Sequence, residues 1–300
     1  MKKIKAAMLL GALLMVSGTA IADLNDGLIV HYSFDDCTAK DSSANALDGT
    51  IIGDPKCVDG IALDGTTNNK ALEFNGNDVI ERLFSGNPAA HYTVSVWLKA
   101  TDNNSGIFSV DAGVTGGGTA GNDRHIYLSS GRICHRVWSM NKKDQNGDGS
   151  TQYISCTDQT IGNGFTLVTL AVTGKSTRYY INGELVKQSL SRPSEFNWDN
   201  RFYVGYSYDR ASQKFKGVLD EFRYYRRALK TSEIKELYKQ GITVAGTMQG
   251  LNPVGFSAEC QNVTTGQSVM LTTRHFNCEA AGLTVSPNDV IHITVDGKAK

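Results

Sequence analysis

Proline is scarce in this chain, at 5 of 300 residues, and neither sign of charge is in surplus, since 30 basic groups balance 30 acidic ones. No Lys/Arg run stands out beyond the extreme N-terminus, which argues against a nucleic-acid partner. No apolar run reaches the roughly 20 residues that a membrane-spanning helix needs. Cys-x-x-Cys, His-Glu-x-x-His, Gly-x-Ser-x-Gly and a Gly-rich phosphate loop are all missing, so zinc sites, zinc peptidases, serine hydrolases and nucleotide enzymes lack their signatures. What is present is 40% apolar residues and 31 glycines. Aromatic and β-branched residues run through most of the chain and exclude disorder. The length allows one large domain and a small one.

The first 22 residues read as a cleavable export signal. Lys2, Lys3 and Lys5 form a basic head, residues 6–16 are apolar, and Ala20-Ile21-Ala22 supplies the small residues that a signal peptidase reads. Cleavage is expected before Asp23, and no cysteine stands there to carry a lipid. The mature chain then has a net charge of −3, and its expected location is the periplasm, the cell surface or the exterior.

Export bears on the six cysteines, at 37, 57, 134, 156, 260 and 278. In an oxidising compartment an even count reads as disulfides, with 15 pairings open to six cysteines. Sequence neighbours give the simplest set: Cys37–Cys57, Cys134–Cys156 and Cys260–Cys278. Each closes a loop of about twenty residues, worth roughly 3 kcal/mol in the chain-entropy model.

Strands are expected at 28–34, 71–74, 92–99, 106–110, 125–128, 133–138, 166–172, 177–181, 202–206 and 215–225, where Val, Ile, Tyr, Phe and Leu cluster between turn residues. Asn182-Gly183 is a two-residue hairpin turn, since both positions must take positive φ. In Val94-Ser95-Val96-Trp97-Leu98 alternation puts Trp97 opposite Val94 and Val96, the place of a side chain covered by a crossing segment. Many short antiparallel strands mean an all-β, two-sheet sandwich or jelly roll. One amphipathic helix is expected over 232–239, with Thr231 as N-cap and Gly241 as the stop. It is expected to lie across the edge or convex side of the sandwich. Residues 242–247 read as a linker, and 248–300 as a small β module with strands at 254–258, 268–272 and 290–295, stapled by the last cysteine pair.

From Leu28 to Gly241 the chain resembles a LamG-like jelly roll of the concanavalin A-like lectin/glucanase superfamily. The resemblance rests on Gly27-Leu28-Ile29-Val30-His31-Tyr32-Ser33-Phe34-Asp35, on the run from Asp41 to Gly49 and on Lys70-Ala71-Leu72-Glu73-Phe74-Asn75-Gly76. It extends through Tyr92 to Leu98 and Tyr180-Ile181-Asn182-Gly183. Its most specific part is Gly217-Val218-Leu219-Asp220-Glu221-Phe222-Arg223-Tyr224-Tyr225-Arg226-Arg227-Ala228-Leu229 followed by the helix. The 248–300 module resembles small tails of other exported bacterial β-proteins.

The resemblance implies a structural calcium where the first strand passes the last, near Asp35, Asp41, Asn45 and Asp220. Carboxylates and amides are suitable donors, although Asp41 to Asn45 is also a turn able to satisfy its own backbone. A second calcium candidate is Asp144, Asn146 and Asp148, spaced like the first half of an EF-hand loop but with Ser155 where the closing Glu belongs. The alternative there is a polar hairpin tip. A sugar surface needs aromatic platforms and polar groups at their rim. Trp138 and Trp198, beside polar runs, are the candidate platforms, with His135, Arg136, Tyr208 and Arg210 as polar contacts; half-buried packing is the other reading of both tryptophans. The Glu-x-Asp-x-x-Glu strand of glycosidases with this fold and the lyase strands of related jelly rolls are missing, so no catalytic residue is assigned. The expectation is a non-catalytic exported module that recognises a glycan or a surface protein. Alternatives are a structural or adhesive subunit of an extracellular assembly and a polysaccharide-active hydrolase or lyase.

Overall fold

The computed structural model describes residues 23–61, 69–83, 90–111, 122–139, 151–191, 201–207, 214–242, 245–247, 257–271, 275–278, 281–286 and 289–296. The chain begins with β1 (Leu28–Tyr32), β2 (Thr50–Ile52), β3 (Lys56–Asp59), β4 (Lys70–Asn75) and β5 (Val79–Leu83). It continues through β6 (Tyr92–Ala100), β7 (Gly106–Asp111), β8 (Asn122–Ser129), β9 (Arg132–Ser139) and β10 (Thr151–Thr160). Next come β11 (Thr166–Val172), β12 (Ser176–Ile181), β13 (Glu184–Leu190), β14 (Arg201–Val204) and β15 (Lys216–Tyr225). The helix α1 (Thr231–Ile242) is followed by β16 (Ala245–Thr247), β17 (Ser257–Asn262), β18 (Ser268–Leu271), β19 (His275–Asn277) and β20 (Ile291–Asp296).

Two antiparallel sheets form a jelly-roll sandwich. One runs β13-β12-β11-β6-β15-β4-β3, with β1 also on β15, and the other runs β10-β9-β8-β7-β14-β5-β2. Because side chains alternate along a strand, each sheet turns one apolar row inward. Val94, Val96, Leu98, Phe222 and Tyr224 of the first sheet meet Ile80, Phe108, Val110, Ile126, Phe202 and Val204 of the second. Phe108 stands at the centre, with ring centroids 5.9 Å from Phe222 and 5.0 Å from Tyr224.

The helix lies on the outer face of the first sheet, where Ile234 and Leu237 pack with Trp97, Leu167, Tyr180, Tyr225 and Leu229. Trp97 is buried as its alternation implied, stacked on Tyr238 at 5.7 Å. Two details of the expected helix are corrected. Thr231 is the first helical residue, not the cap: its hydroxyl lies 2.9 Å from the Tyr180 hydroxyl. The cap is the Lys230 backbone, whose carbonyl accepts from the N–H groups of Glu233 and Ile234 and whose N–H donates back to Glu233 Oε2 at 2.6 Å. Gly241 does not stop the helix, which runs on to Ile242. It is there because a Cβ would fall 2.5 Å from the Trp97 indole.

The Asn182-Gly183 turn joins β12 and β13 with φ of 52° and 77°. All three cysteine pairs are joined as sequence neighbours, and Cys134–Cys156 bridges directly opposite residues of β9 and β10. Beyond the helix, β18-β17-β20 form a separate three-stranded sheet around Ala258, Cys260, Leu271, Cys278 and Leu283. Within the stretch expected as a linker, Ala245–Thr247 pairs with β19.

Candidate functional sites on the sandwich

The two outer faces differ in kind. Apolar side chains under α1 fill the first, whereas the second sheet turns polar and aromatic groups outward. Register aligns Glu81 (β5) with Tyr203 (β14), Tyr203 with Ser109 (β7), Ser109 with His125 (β8), and His125 with Arg136 (β9). Beyond Arg136 stands Ile154 of β10, 42% exposed. Residues directly opposite one another point to the same face, so these side chains form one row across adjacent strands. At a strand spacing of about 4.8 Å the row from Glu81 to Arg136 is about 19 Å long.

Water is excluded from its middle: Tyr203, Ser109 and His125 are fully buried, and Arg136 is 7% exposed. Tyr206 packs edge-on against Tyr203 at 5.5 Å. His125 Nδ1 lies 3.0 Å from Ser207 Oγ, but His125 Nε2 and Ser109 Oγ have no hydrogen-bond partner. Buried polar atoms are rarely left so. Burial, then the charges of Arg136 and His135, hold the His125 imidazole well below its usual range, so it is neutral near pH 7. At the Glu81 end, Arg201 Nη1 donates to Glu81 Oε2 at 3.1 Å.

Of the expected sugar contacts, Arg136 belongs to this row. His135 does not: as its chain neighbour it points inward, with Nε2 2.6 Å from the Tyr92 hydroxyl and Nδ1 3.1 Å from Thr177 Oγ1. Its burial, with Arg124 nearby, pushes its pKa down to about 3. Trp138 is in β9, paired with Gln152; its side chain lies outside the described residues, as do Trp198, Tyr208 and Arg210 entirely. Tyr203, Ser109 and His125 escaped the sequence reading. The signal was alternation: Ser109 and Tyr203 each fall between core residues of their strands, and His125 precedes the core residue Ile126.

A second arrangement lies where β1, β4 and β15 converge. A bulge in β15 falls between Asp220 and Arg223, and Glu221 there has a φ of 51°. Asp220 is fully buried, and its carboxylate accepts from the N–H of Ile61 at 2.7 Å and of Glu221 at 2.9 Å. Burial, then the charge of Glu221 and, less strongly, of Asp35, raises its pKa to about 9. Asp35 accepts from the Lys70 N–H at 3.3 Å. Gly60 is hemmed in by the same set, since a Cβ there would sit 2.3 Å from both Asn69 Oδ1 and Asp220 Oδ2. Asn69 Oδ1 is buried with no hydrogen-bond donor.

Thus Asp220 and Asn69 bring oxygen acceptors together at Gly60, one of them without a donor, with Asp35 near enough for its charge to act on Asp220; oxygen donors of this kind suit a hard cation. Among the described residues no three His, Cys, Asp or Glu side chains converge as metal ligands; this set has two carboxylates and an amide. Asp41 and Asn45, expected beside Asp35 and Asp220, are spent elsewhere. Asp41 accepts from the N–H groups of His31, Ser43 and Leu47, and Asn45 Nδ2 donates to the carbonyls of Leu28 and Ile29. They build a turn. Asp144, Asn146 and Asp148 lie outside the described residues.

Glu221 itself is held by Arg223 Nη2 and His31 Nε2, each 2.6 Å from Oε2. Burial opposes its charge, but Arg223 and His31 outweigh it and keep the carboxyl below its usual range. Burial and Arg223 lower His31, so His31 contributes a hydrogen bond and Arg223 the charge.

Comparison with known proteins agrees with this architecture. Residues 67–235 match the Laminin_G_3 family model of the concanavalin A-like lectin/glucanases superfamily. No curated protein matches the chain. Among solved structures, domain 4 of AbnA, a GH43 extracellular arabinanase from Geobacillus stearothermophilus in complex with arabinotriose, is 23% identical with a TM-score of 0.51, over 70% of this chain and 98% of that one. The receptor-binding domain of botulinum neurotoxin C/D mosaic serotype is 14% identical at 0.52, over 91% and 71%. A botulinum neurotoxin type C structure, described as dependent for cell entry on two ganglioside molecules, is 14% identical at 0.50, over 84% and 63%. These likenesses speak for the fold. With over half of its length under one family model, the chain belongs to the concanavalin A-like lectin/glucanases superfamily.

Proposed function

We propose that the chain is an exported, non-catalytic recognition module that binds a carbohydrate, with the polar row on the second sheet as its contact surface. The observation that carries this reading is the pair Ser109 Oγ and His125 Nε2, buried and unpartnered at the centre of that row. A hydroxyl and a neutral imidazole are groups that exchange hydrogen bonds with sugar hydroxyls. The similar structures named with arabinotriose and gangliosides support a glycan as the ligand. Three disulfides support an extracytoplasmic location. Calcium at Asp35, Asn69 and Asp220 is the proposed structural cofactor.

A glycan array and titration calorimetry on residues 23–300 test the reading. Binding should weaken at least ten-fold in Ser109→Ala with His125→Ala, while the melting temperature and circular dichroism show a folded protein. Tyr203→Phe keeps the ring and serves as the second variant should the pair fail to fold. No glycan bound, or full affinity in both variants, would overturn the proposal. Turnover of a polymer that disappears with one carboxylate would replace it with an enzyme.

The assembly-subunit reading has its own observation. Val263, Met270, Val290 and Ile293 of the last sheet and its connections are exposed, more apolar surface than a sheet of three strands needs to leave in water. Loss of surface retention on removal of residues 245–300, with glycan binding intact, would assign that sheet to docking.

A further inference from the structure

The outer face of the first sheet is only partly covered by α1. Two residues past the opposed pair Asp220 and Trp97 it carries charge instead. Register sets Lys56 (β3) opposite Glu73 (β4), Glu73 opposite Val218 (β15) and Val218 opposite Lys99 (β6), so the four share one face. Lys216 lies opposite Asn75 two residues along the same strands, and the N–H of Thr101 donates to the Lys216 carbonyl at 3.0 Å. Lys56, Asn75, Lys99, Thr101 and Lys216 are all exposed. Lys56, Glu73, Asn75, Thr101 and Lys216 line a hollow of about 240 Å³.

The three lysines are not spent within the protein. Lys70, Lys187 and Lys235 each meet a carboxylate at 2.7, 3.0 and 2.8 Å. Among the described residues Lys56, Lys99 and Lys216 have no ion pair, although Glu73 stands directly across from Lys56. Lys216 is also held in place. A Cβ at Gly76 would fall 2.7 Å from its Cε and 3.0 Å from its Cγ, so its stem lies along the bare glycine. Lys56 and Lys99 are three strand spacings apart, about 14 Å, with Lys216 on a strand between them. One small anion cannot meet all three, but a polymer with repeated negative groups can.

Glu73 narrows the partner further. A carboxylate set among ammonium groups repels a ligand that is charged throughout, yet it accepts hydrogen bonds from hydroxyls. No large apolar side chain is exposed on this face among the described residues, so it lacks the apolar anchors of a lipid-binding surface. We infer that this face binds an anionic polysaccharide, with its carboxylates or sulfates on Lys56, Lys99 and Lys216 and its hydroxyls on Glu73 and Thr101. The choice of a sugar polymer rests on the glycan-binding reading above, but the site shares no residue with the polar row and lies on the other sheet. Each exposed contact is weak and screened by salt. Affinity comes from several contacts made at once by one chain.

Calorimetry on residues 23–300 tests this with polygalacturonate and alginate fragments beside their carboxyl-reduced forms, and with dextran sulfate beside dextran, which separates carboxylate from sulfate. At about 0.05 M salt one anionic form should bind at least ten-fold more tightly than its uncharged counterpart, and about 0.5 M salt should erase most of that preference. The triple variant Lys56→Gln, Lys99→Gln, Lys216→Gln should abolish it. Lys175→Gln, Lys187→Gln, Lys235→Gln, the same change of net charge elsewhere, should leave it within two-fold. Polyphosphate of matched charge should bind more weakly than the glycan and gain affinity in Glu73→Gln. No preference for any anionic glycan, a preference that survives the first triple variant, or one lost equally in the second overturns the inference. So does polyphosphate bound as tightly as the glycan. Ser109→Ala with His125→Ala should leave the preference unchanged, so the polar row and this face stand or fall separately; its loss there would place the anion on the row and overturn the inference. Should the first triple variant not fold, each lysine substituted singly should lower the preference at least two-fold, and no change in any of them overturns it.

Discussion

His135 shows how one side chain sets a dependence on pH. It is neutral in the fold, bonded to Tyr92 and Thr177, with a pKa lowered to about 3 by burial and by Arg124. In the unfolded chain a histidine takes up a proton near pH 6.5. A folded pKa below the unfolded one means that the unfolded state binds more protons, so stability is complete above about pH 6.5 and falls as pH drops toward 3. The slope attributable to this group is about 1.4 kcal/mol per pH unit over that window. Urea unfolding at pH 7, 5.5 and 4.5 should show the decline, and His135→Asn should be less stable at pH 7 but flatter against pH. An equally steep decline in the variant would remove His135 as its source. His125, also buried and neutral, acts in the same direction.

At the scale of the element, Gly241 pits two effects against each other. Alanine within a helix is favoured over glycine by about 1 kcal/mol, so Gly241→Ala on an open helix face would stabilise. Here the added methyl would lie 2.5 Å from three atoms of the Trp97 indole, and Trp97 is fully buried between the sheet and α1. Overpacking of this kind costs about 1–3 kcal/mol. The expected sum is a net loss of about 1 kcal/mol, seen as a lower urea midpoint; a gain would mean that α1 shifts freely on the sheet. The same residue illustrates a limit of sequence reading. A glycine near the end of an amphipathic pattern looks like a stop, and only the indole beneath it reveals why a side chain is excluded.

The second sheet is a lesson of the same scale. β7, β8 and β9 were legible from their β-branched and aromatic residues, and so was the alternation within them. Which residues of different strands stand side by side was not legible, because register is fixed by pairing across the sheet rather than along the chain. β2, β3, β5 and β10 passed unnoticed since they are short, edge-lying or polar, and such strands carry little apolar pattern. That is why Arg136 was found and its neighbours His125, Ser109 and Tyr203 were not. His135, equally polar in sequence, belongs to the opposite face.

For the molecule as a whole, the oxygen set at Gly60 joins remote parts of the chain: Asp35 after β1, Gly60 and Asn69 on either side of residues 61–68, and Asp220 in β15. A cation bound there only by the folded state would stabilise the entire sandwich, by about 2.7 kcal/mol when its concentration is a hundred times its dissociation constant. Millimolar calcium should raise the melting temperature, and chelator should lower it. Asp220→Asn should erase the response to both, with Asp41→Asn, in the turn, leaving it in place. A melting curve indifferent to calcium in the parent protein would dismiss the site. Disulfides act on the same scale but through local loops, and all three join cysteines that are neighbours in the sequence.

What the sequence by itself determined was the class of fold, the strands rich in apolar residues, the Asn182-Gly183 hairpin and the family. Each of these is written in residues near one another or in a period along one strand, so no knowledge of distant contacts is needed. The tertiary structure alone decided that Trp97 lies beneath α1, that Asp220 and Asn69 stand together at Gly60 while Asp41 and Asn45 build a turn, and that Arg136 shares a row with His125 and Ser109 while His135 turns inward. These depend on which strand lies beside which and on a one-residue bulge in β15. Pairing energies summed over whole sheets select that arrangement, and no short stretch of chain contains them.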